Sequence, residues 1–286
     1  VHLDPVASVA AFPGEVIVGD VADEDAWQGL PDVDAIVHLA AETGTGQSMY
    51  EVDRYRRVNI GGTELAGRFA AAQGAAIVAL SSRAVYGEGR HACAEHGVTL
   101  GAACCDRAVA EDSTESDEHR PVSVYGETKS EGERALDGVA QHVPVTTIRP
   151  QNVIGPGQAL HNPYTGVLAA FLAMLKEGKP LTVYGEDTQT RDFIHVHDLV
   201  EIIAWVLTNP GEVGRHRVFN AGSGVRTSLV ELADYAASGA PVQTHGIVHV
   251  DVHRAGDIDD ACADMTALAQ AGGPMPVWDT RDAVAD

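Results

Sequence analysis

Short apolar runs alternate with longer stretches of helical periodicity along the first half of the chain. Val, Ile, Ala and Leu dominate the runs at residues 16–18, 35–38 and 77–80, and the run at 145–148 is entirely β-branched, which predicts strands buried on both faces. The segments 50–73 and 124–140 carry apolar residues at helical spacing and predict crossover helices. This alternation is typical of a parallel sheet covered by helices, so we expect an α/β, doubly wound fold.

The pattern changes after Pro150, where the predicted elements become shorter. Helices are expected near residues 167–176 and 196–207, and another is expected to begin at Thr227 or Ser228, either of which can cap a first turn. We therefore predict two domains, residues 1–150 with the parallel sheet and residues 151–286, mainly a smaller α/β domain.

Composition narrows the classes of protein that this chain can be. Its 286 residues, 45% of them hydrophobic, suffice for a large core, and the net charge of −22 argues against a nucleic-acid partner, because an acidic surface repels phosphate backbones. No apolar run approaches the ~20 residues of a membrane span and the first residues do not resemble a signal peptide, so a cytoplasmic protein without a membrane partner is expected. Four cysteines do not suggest a secreted disulfide framework.

Tyr125 and Lys129 are the strongest candidates for chemistry. They stand four positions apart in a predicted helix and so share a face, where the charge of Lys129 would favour the phenolate of Tyr125 over a phenol whose pKa is ordinarily about 10. Ser82 follows a predicted strand and adds a hydroxyl group, which completes a set suited to acid–base chemistry in a redox reaction. Tyr-x-x-x-Lys alone is weak, because any amphipathic helix can carry it by chance.

Further short motifs surround this pair in a fixed order. They are Gly19-Asp20-Val21, His38-Leu39-Ala40-Ala41, Asn59-Ile60-Gly61-Gly62-Thr63 and Ser81-Ser82-Arg83-Ala84-Val85-Tyr86-Gly87. With Tyr125-Gly-Glu-Thr-Lys129, they resemble the extended short-chain dehydrogenase/reductase family. The resemblance implies a Rossmann-like sheet that binds NAD, with Ser82, Tyr125 and Lys129 as catalytic residues. The residues that it implies for cofactor contact are Asp20, Val21, Leu39, Ala40, Ala41, Asn59, Tyr125 and Lys129.

The second half carries segments that match the family's substrate contacts. They are Arg149-Pro150-Gln151-Asn152, Arg191-Asp192-Phe193-Ile194-His195 and Arg254-Ala255-Gly256-Asp257. By the resemblance, Asn152, Arg191 and Arg254 would bind a nucleotide-diphosphate sugar, residues 1–150 would bind the dinucleotide and residues 151–286 mainly the substrate. The resemblance also implies a homodimer. Of His195 and His197, we expect one to pack inside and one to face water.

A glycine-rich turn typical of such sheets is missing from the sequence. No G-x-x-G-x-x-G or G-x-G-x-x-G stands near its start, where backbone N–H groups would reach a pyrophosphate, and the cluster at Gly44 and Gly46 follows the wrong strand. By the resemblance, residues 16–20 belong to the third strand, so the first two strands are expected to be lacking. We expect the sequence to begin partway through the natural protein and to stop within a last helix at residues 280–286. The alternative is a degenerate relative that has lost its cofactor.

The residues after Ser82 distinguish between the reactions that members of this family catalyse. Sugar-nucleotide 4,6-dehydratases of the family carry Asp-Glu directly after that hydroxyl residue, whereas Arg83-Ala84 stand here, so the acid and base of dehydration are lacking. The resemblance then implies an NAD-dependent nucleotide-diphosphate-sugar 4-epimerase that works through a transient 4-keto sugar. A 4-ketoreductase would use the same residues, and a non-catalytic sugar-nucleotide-binding remnant would keep only the substrate contacts.

The stretch between Tyr86 and Tyr125 is longer than in the family and contains Cys93, His96, Cys104 and Cys105. C-x-x-H followed by cysteines could bind zinc tetrahedrally, but two adjacent cysteines rarely both reach one metal. We therefore predict no metal here, with free thiols or a loop disulfide as the alternative to zinc. A similar Cys/His loop, together with residues 40–48 and 162–166, resembles dTDP-L-rhamnose 4-epimerases and implies a dTDP-6-deoxyhexose as substrate.

Overall fold

The computed structural model describes residues 12–158, 166–185, 188–239, 246–250, 252 and 257–286. Its largest sheet contains, within those residues, the parallel strands β1 (Ala35–His38), β2 (Ala76–Leu80), β6 (Val145–Pro150) and β11 (His216–Ala221), in the order β1-β2-β6-β11. The strands predicted at residues 35–38, 77–80 and 145–148 are confirmed. Their parallel pairing confirms the predicted α/β class.

β6 lies in the interior of this sheet. All six of its residues are buried, and the register places Val145 beside Ile77 on one side and His216 on the other. Val145 faces a core with Leu136, whereas Ile148 faces a second core on the opposite side of the sheet. Because successive side chains of a strand point to opposite faces, one continuous β-branched run serves both cores.

The helices of the first half cover one face of the sheet. They are α1 (Thr45–Ser48), α2 (Val52–Tyr55), a π-helical turn (Arg56–Gly61), α3 (Gly62–Gln73) and α4 (Val124–Val139). The segment predicted as one helix over residues 50–73 therefore contains α2, the π-helical turn and α3 in succession. The helix predicted over 124–140 is confirmed. α3 and α4 pack closely at Gly67, where an added Cβ would lie 2.8 Å from Val139 Cγ2.

The strand predicted at residues 16–18 is wrong. This segment pairs with no strand of the described residues, and Val18 is 95% exposed. A strand exists only through hydrogen bonds to a neighbouring strand. The apolar residues at 16–18 therefore could not by themselves determine whether this segment forms one.

The second half builds its own core and also returns to the large sheet. Its helices are α5 (Val167–Lys176), α6 (Val196–Thr208), α7 (Leu229–Gly239), α8 (Thr266–Gln270) and α9 (Thr280–Ala285), which confirms the predictions near 167–176, 196–207 and 280–286. α5, α7 and α9 surround a core that contains Phe171 and Leu232, whereas α6 packs against the large sheet. The domain division at residue 150 stays a prediction. None of the helices in the described ranges is long and apolar enough to cross a bilayer.

Short paired strands carry the segments of the second half that matter for the site. β7 (Asn152–Ile154) pairs with β10 (Phe193–His195), and β8 (Leu181–Tyr184) pairs with β13 (Ile247–Val250), both in parallel. β9 (Thr190–Arg191) pairs antiparallel with β12 (Thr227–Ser228). β7 follows β6 directly, so the chain that leaves the large sheet at Pro150 enters the second half within two residues.

Ser228, not Thr227, caps α7. Its Oγ accepts a hydrogen bond from Glu231 N at 3.1 Å, and Glu231 Oε2 accepts one from Ser228 N at 2.8 Å. This reciprocal arrangement is a capping box, which satisfies N–H groups that the first helical turn leaves free. Thr227 instead donates its hydroxyl to Thr280 Oγ1 at 3.1 Å and so ties α7 to α9.

The stretch between Tyr86 and Tyr125 forms a small antiparallel sheet. Its strands β3 (Arg90–Cys93), β4 (Gly97–Leu100) and β5 (Val109–Glu111) lie in the order β4-β3-β5. Arg90 anchors this sheet at its base through Glu111 Oε2 at 3.1 Å and Asp117 Oδ1 at 2.6 Å. This stretch, which we call the insertion, lies in the chain between the segment that carries Ser82 and the helix that carries Tyr125 and Lys129.

Candidate active site

The candidate residues meet where β1 and β2 end. β1 runs into Leu39 and Ala40, which are exposed, and β2 runs into Ser81 and Ser82, which are buried. Parallel strands place their carboxyl ends at one edge of a sheet, where α/β proteins bind ligands. Within the described ranges, the buried Oγ of Ser81 has no hydrogen-bond partner, so a hydroxyl group remains for a ligand or a water molecule.

Tyr125 is held in the first turn of α4. Ser123 caps this turn by accepting a hydrogen bond from Gly126 N at 3.2 Å, and the backbone N–H of Tyr125 donates to Ser48 Oγ at 3.0 Å. A Cβ on Gly126 would lie 2.5 Å from Ala84 O, closer than real contacts allow. The glycine after Tyr125 therefore lets α4 approach the segment that begins with Ser82.

Ser82 and Arg83 determine the electrostatic environment of the Tyr125 phenol. Burial raises the pKa of Tyr125, whereas a hydrogen bond with the Ser82 side chain and then the charge of Arg83 lower it. The Arg83 charge thus opposes the effect of burial, and the predicted influence of Lys129 on the Tyr125 phenol stays a prediction. Burial, and then the nearby charge of Arg191, lower the pKa of Arg83 to about 10, which leaves it cationic at neutral pH.

The Lys129 side chain reaches the carboxyl end of β2. Its Nζ donates to Leu80 O at 2.8 Å, and burial lowers its pKa to about 8, against the attraction of Glu133. The nearby ammonium group also contributes, after burial, to lowering the pKa of His38 to about 4. Lys129 is therefore a buried cation beside the carboxyl end of β2, one helical turn from Tyr125.

Replacing Lys129 with Met is expected to change how stability depends on pH. The lysine has a pKa of about 8 when folded and about 10.4 when unfolded, so between these values the unfolded state binds more protons. The free energy of unfolding of the wild type should therefore gain up to about 3 kcal/mol over the variant as the pH rises through this interval. Urea denaturation of both proteins at pH about 7 and about 10 measures the difference.

Lys176, exposed on α5, supplies the matched control for that comparison. Lys176→Met should keep the wild-type slope, because water solvates an exposed ammonium in the folded and the unfolded state alike. If Lys129→Met also keeps the wild-type dependence of unfolding free energy on pH, the folded protein does not hold Lys129 in a desolvated position.

The side chain of Asn59, in the π-helical turn, forms hydrogen bonds both to the loop after β1 and to α4. Its Oδ1 accepts a hydrogen bond from Glu42 N at 2.8 Å, and its Nδ2 donates to Glu42 O at 3.1 Å and to Thr128 Oγ1 at 3.0 Å. The Thr128 hydroxyl in turn donates to Tyr125 O at 2.9 Å. Asn59 thus sets the position of the loop after β1 relative to Tyr125, and its predicted contact with the cofactor stays a prediction.

Asp20 and Val21 occupy a turn beside the helical run. Asp20 accepts hydrogen bonds from Ala22 N at 2.9 Å and from Arg57 Nη2 at 2.5 Å, which lower the pKa of this exposed carboxyl group. Val21 O accepts from Trp27 Nε1 at 3.0 Å, and its side chain lies so close to Gly62 that a Cβ there would be 3.0 Å from Val21 Cγ2. Close packing is thus the reason for Gly62, and the adenine contact of Asp20 stays a prediction.

Two of the predicted substrate residues, Asn152 and Arg191, already have protein partners. Asn152 Nδ2 donates to Asp192 O at 3.0 Å, and the Arg191 guanidinium donates to Ile258 O at 2.6 Å and Asp259 O at 3.2 Å. Arg191 is buried and therefore holds the 258–259 segment against β9. Arg254 lies outside the described residues. The substrate contacts of these three residues stay predictions.

The two histidines after β10 divide as expected. His195 is buried and stacks on Trp278 with 4.1 Å between ring centroids, while His197 is exposed. His195 also accepts a hydrogen bond from His197 N at 3.2 Å, so it caps α6. Packing and capping thus account for His195, whereas His197 faces water.

A buried ion pair that sequence reasoning missed connects α4 to β6. Arg149 donates to Glu133 through Nε and Nη2, at 3.0 and 2.7 Å, and through Nη1 to Tyr86 OH at 2.9 Å. Its Nη2 also lies 2.6 Å from His119 Nε2, which must accept, so His119 is the neutral imidazole; burial lowers its pKa. Glu133 stands two turns after Gly126 on α4, a helical spacing that could have suggested an inward-facing carboxylate.

The cysteines of the insertion come together with its histidine. The ligand atoms of Cys93, His96, Cys104 and Cys105 all lie within 4.8 Å of one another. The expectation that adjacent cysteines would not both reach one point is wrong for this loop, because Cys104 Sγ and Cys105 Sγ lie 3.4 and 3.9 Å from the same His96 Nδ1.

The fold and the site together define a dinucleotide-dependent enzyme that moves a hydride and a proton. The residues present fit the nicotinamide end of NAD, since exposed Leu39 and Ala40 border the same sheet edge as Ser82, Tyr125 and Lys129. The chain belongs to the NAD dependent epimerase/dehydratase family, whose model matches residues 3–222. This confirms the family, the enzyme class and NAD as cofactor.

Curated relatives cover most of the chain. It is 36% identical over 304 residues to a dTDP-L-rhamnose 4-epimerase of Burkholderia thailandensis, an alignment that covers 97% of this chain and 81% of the relative. It is 29% identical over 272 residues to a UDP-glucose 4-epimerase of Mycolicibacterium smegmatis, covering 92% and 78% of the two chains. A dTDP-glucose 4,6-dehydratase of Streptomyces griseus is also 29% identical over 272 residues, with coverage of 93% and 74%.

Solved structures share the fold over nearly the whole chain. MoeE5 in complex with UDP-glucose and NAD superposes with a TM-score of 0.76 at 25% identity, covering 94% of this chain and 82% of that chain. DesIV, a dTDP-glucose 4,6-dehydratase from Streptomyces venezuelae, superposes with a TM-score of 0.81 at 24% identity, covering 98% and 80%. The second likeness concerns the fold alone.

Proposed function

We propose that this protein is an NAD-dependent 4-epimerase of nucleotide-diphosphate sugars, with a dTDP-6-deoxyhexose as its substrate class. The observation that carries the proposal is the half-buried Tyr125, whose phenol is hydrogen-bonded to Ser82 and lies near the Arg83 charge at the edge where β1 and β2 end. The similarity to a dTDP-L-rhamnose 4-epimerase over 97% of the chain supports the substrate class.

In this mechanism, Tyr125 takes the proton of the sugar 4-hydroxyl and returns it after inversion. NAD, when bound beside these residues, would supply the hydride chemistry at carbon 4. Ser82 donates a hydrogen bond to the reacting oxygen, and the Arg83 charge favours the phenolate, against the desolvation that raises the pKa of Tyr125. Lys129, desolvated beside β2, holds the nicotinamide ribose. Inversion would require the transient 4-keto sugar to turn over within the site, so that its other face is presented when carbon 4 is reduced again.

The residues after Ser82 favour epimerisation over dehydration. Elimination of water across carbons 5 and 6 needs an acid and a base beside the hydroxyl residue, and Arg83-Ala84 stand in those positions. Arg83 Nη2 donates to Gly87 O at 3.1 Å, so the guanidinium is held as a fixed cation next to the phenol. A cation there stabilises a negative oxygen and cannot act as the base of an elimination.

Substrate recognition in this proposal falls to the second half of the chain. Asn152 and Arg191 would exchange or share their present backbone partners with the diphosphate, and Arg254 would join them. A homodimer and a cytoplasmic location belong to the same proposal. Light scattering during gel filtration tests the first, and cell fractionation tests the second.

Proton NMR in deuterated water provides the direct test of the reaction. The natural full-length protein with NAD should convert dTDP-L-rhamnose to its C4 epimer, and no deuterium should appear at carbon 4, because the hydride never exchanges with solvent. Consumption of one reduced nicotinamide per turnover would instead indicate the 4-ketoreductase. If the sugar stays unchanged across a panel of dTDP- and UDP-hexoses and no NAD is retained, the protein is a binding remnant and the proposal fails.

A further inference from the structure

Four side chains of the insertion direct their ligand atoms at one point. His96 Nδ1 lies 3.4 Å from Cys93 Sγ, 3.4 Å from Cys104 Sγ and 3.9 Å from Cys105 Sγ. Cys105 Sγ lies 3.6 Å from Cys93 Sγ and 3.9 Å from Cys104 Sγ. Three soft sulfur donors and one imidazole nitrogen thus enclose a common centre.

These separations agree with the edges of a tetrahedron around a zinc ion. With Zn–S of ~2.3 Å and Zn–N of ~2.1 Å, an ideal site has S···S edges of about 3.8 Å and S···N edges of about 3.6 Å. The five measured edges, from 3.4 to 3.9 Å, lie close to both values. We propose that Cys93, His96, Cys104 and Cys105 bind a structural zinc ion.

The first two ligands stand on a tight hairpin turn suited to a metal. Cys93 ends β3 and His96 precedes β4, so two residues separate them, within the ligand spacing of structural zinc sites. Gly97 follows with φ of +72°, a conformation in which glycine carries no steric cost.

The distances argue against a disulfide among these cysteines, and the donor types argue against metal centres other than zinc. A disulfide needs sulfur atoms ~2.05 Å apart, whereas the 3.6 Å from Cys93 to Cys105 and the 3.9 Å from Cys104 to Cys105 exceed that length. Magnesium and calcium prefer oxygen donors, and iron–sulfur clusters are held by four cysteines, so three thiolates and an imidazole select zinc. Four protein ligands fill the coordination sphere, which makes the site structural and leaves no open position for catalysis.

The insertion needs such an ion because it has little apolar core. Across residues 90–111, the side chains that are buried are His91 and Cys93, while Val98 and Val109 are 52% and 66% exposed. Elements that small seldom bury enough apolar surface and are commonly stabilised by a metal or by disulfides. A zinc ion would tie the β3–β4 hairpin to the loop before β5. The ion pair between Arg107 and Glu95, at 2.5 Å, spans the same gap on the surface.

Metal analysis of the native protein provides the first test. Protein purified without chelator should contain about one zinc ion per chain by mass spectrometry of elements, releasable when the thiols are modified. Exchange with cobalt(II) should produce the visible bands of a tetrahedral ion and a thiolate-to-cobalt charge-transfer band. Protein that carries no zinc, takes up no added zinc or cobalt, or contains a disulfide among these cysteines by mass would overturn the proposal.

Variants of the loop test the same site by proteolysis. Cys104→Ser should lose the zinc and become at least about tenfold more sensitive to trypsin after Arg107, since cleavage follows the population of the opened loop. Ala103→Ser, a neighbouring exposed position, should keep both the metal and the resistance. Wild-type protein treated with a chelator should behave like Cys104→Ser. Equal trypsin rates with and without metal would contradict the stabilising role.

Discussion

Replacing Tyr125 with phenylalanine is expected to lower kcat for 4-epimerisation by about two to four orders of magnitude. The variant keeps the ring that packs edge-on against Tyr55, with centroids 6.4 Å apart, and removes only the hydroxyl that is hydrogen-bonded to Ser82. Proton transfer at the sugar 4-oxygen then lacks its positioned acid and base. The rate is measured by NMR at saturating substrate, with nucleotide-sugar affinity from calorimetry, which should change little because the fold is retained.

Tyr50→Phe is the matched control, since Tyr50 is 82% exposed on the loop after α1. It should leave kcat unchanged within experimental error. If Tyr125→Phe loses less than about tenfold, a group other than Tyr125 moves the proton, since positioned acid–base groups typically contribute more than that.

Replacing Arg149 with Met is expected to lower the free energy of unfolding by about 3–5 kcal/mol. The substitution leaves Glu133 as a buried carboxylate without its guanidinium partner, and it also removes the hydrogen bond to Tyr86 OH. Burying an uncompensated charge costs far more than the loss of a surface pair, because water can no longer solvate it. Urea denaturation at neutral pH measures the change.

The control for this experiment is Arg68→Met. Arg68 pairs with Glu24 at 3.5 Å on the surface, where both side chains are more than half exposed, so its loss should cost less than about 1 kcal/mol. Adding Glu133→Leu to Arg149→Met should recover part of the lost stability, since it removes the unpaired charge. Equal effects of Arg149→Met and Arg68→Met would show that the buried pair does not hold α4 against β6.

Much of the fold could be predicted from the sequence, because local patterns determine local elements. The run 145–148 is β-branched and apolar and became β6, and Ser228 followed by Glu231 three residues later is a capping signal that the structure bears out. Residues 16–18 look equally strand-like in sequence. They form no strand in the described structure, because a ladder also requires a partner and a sequence pattern does not state which strand is adjacent.

The candidate site, like the fold, could be predicted only in part from the sequence. Tyr125 and Lys129 were predictable as a pair, since helical spacing alone puts them on one face. The direction of the Lys129 ammonium toward Leu80 O, and the approach of Arg83 to the phenol, depend on how α4 packs on the turn after β2. Gly126 makes that packing possible, but its role appears only once Ala84 O is known to lie 2.5 Å from where a Cβ would stand.

The sequence by itself determined the class of fold and the family, and it predicted the residues that would exchange a proton with a sugar hydroxyl, because these depend on residue types at short spacings. Tertiary structure alone decided which charge faces Tyr125, that Arg149 neutralises Glu133 inside the protein, and that Cys93, His96, Cys104 and Cys105 converge on one point. The physical reason is that electrostatic and coordination energies depend on distances of a few ångströms. Such distances between residues far apart in the chain are set by packing of the whole chain.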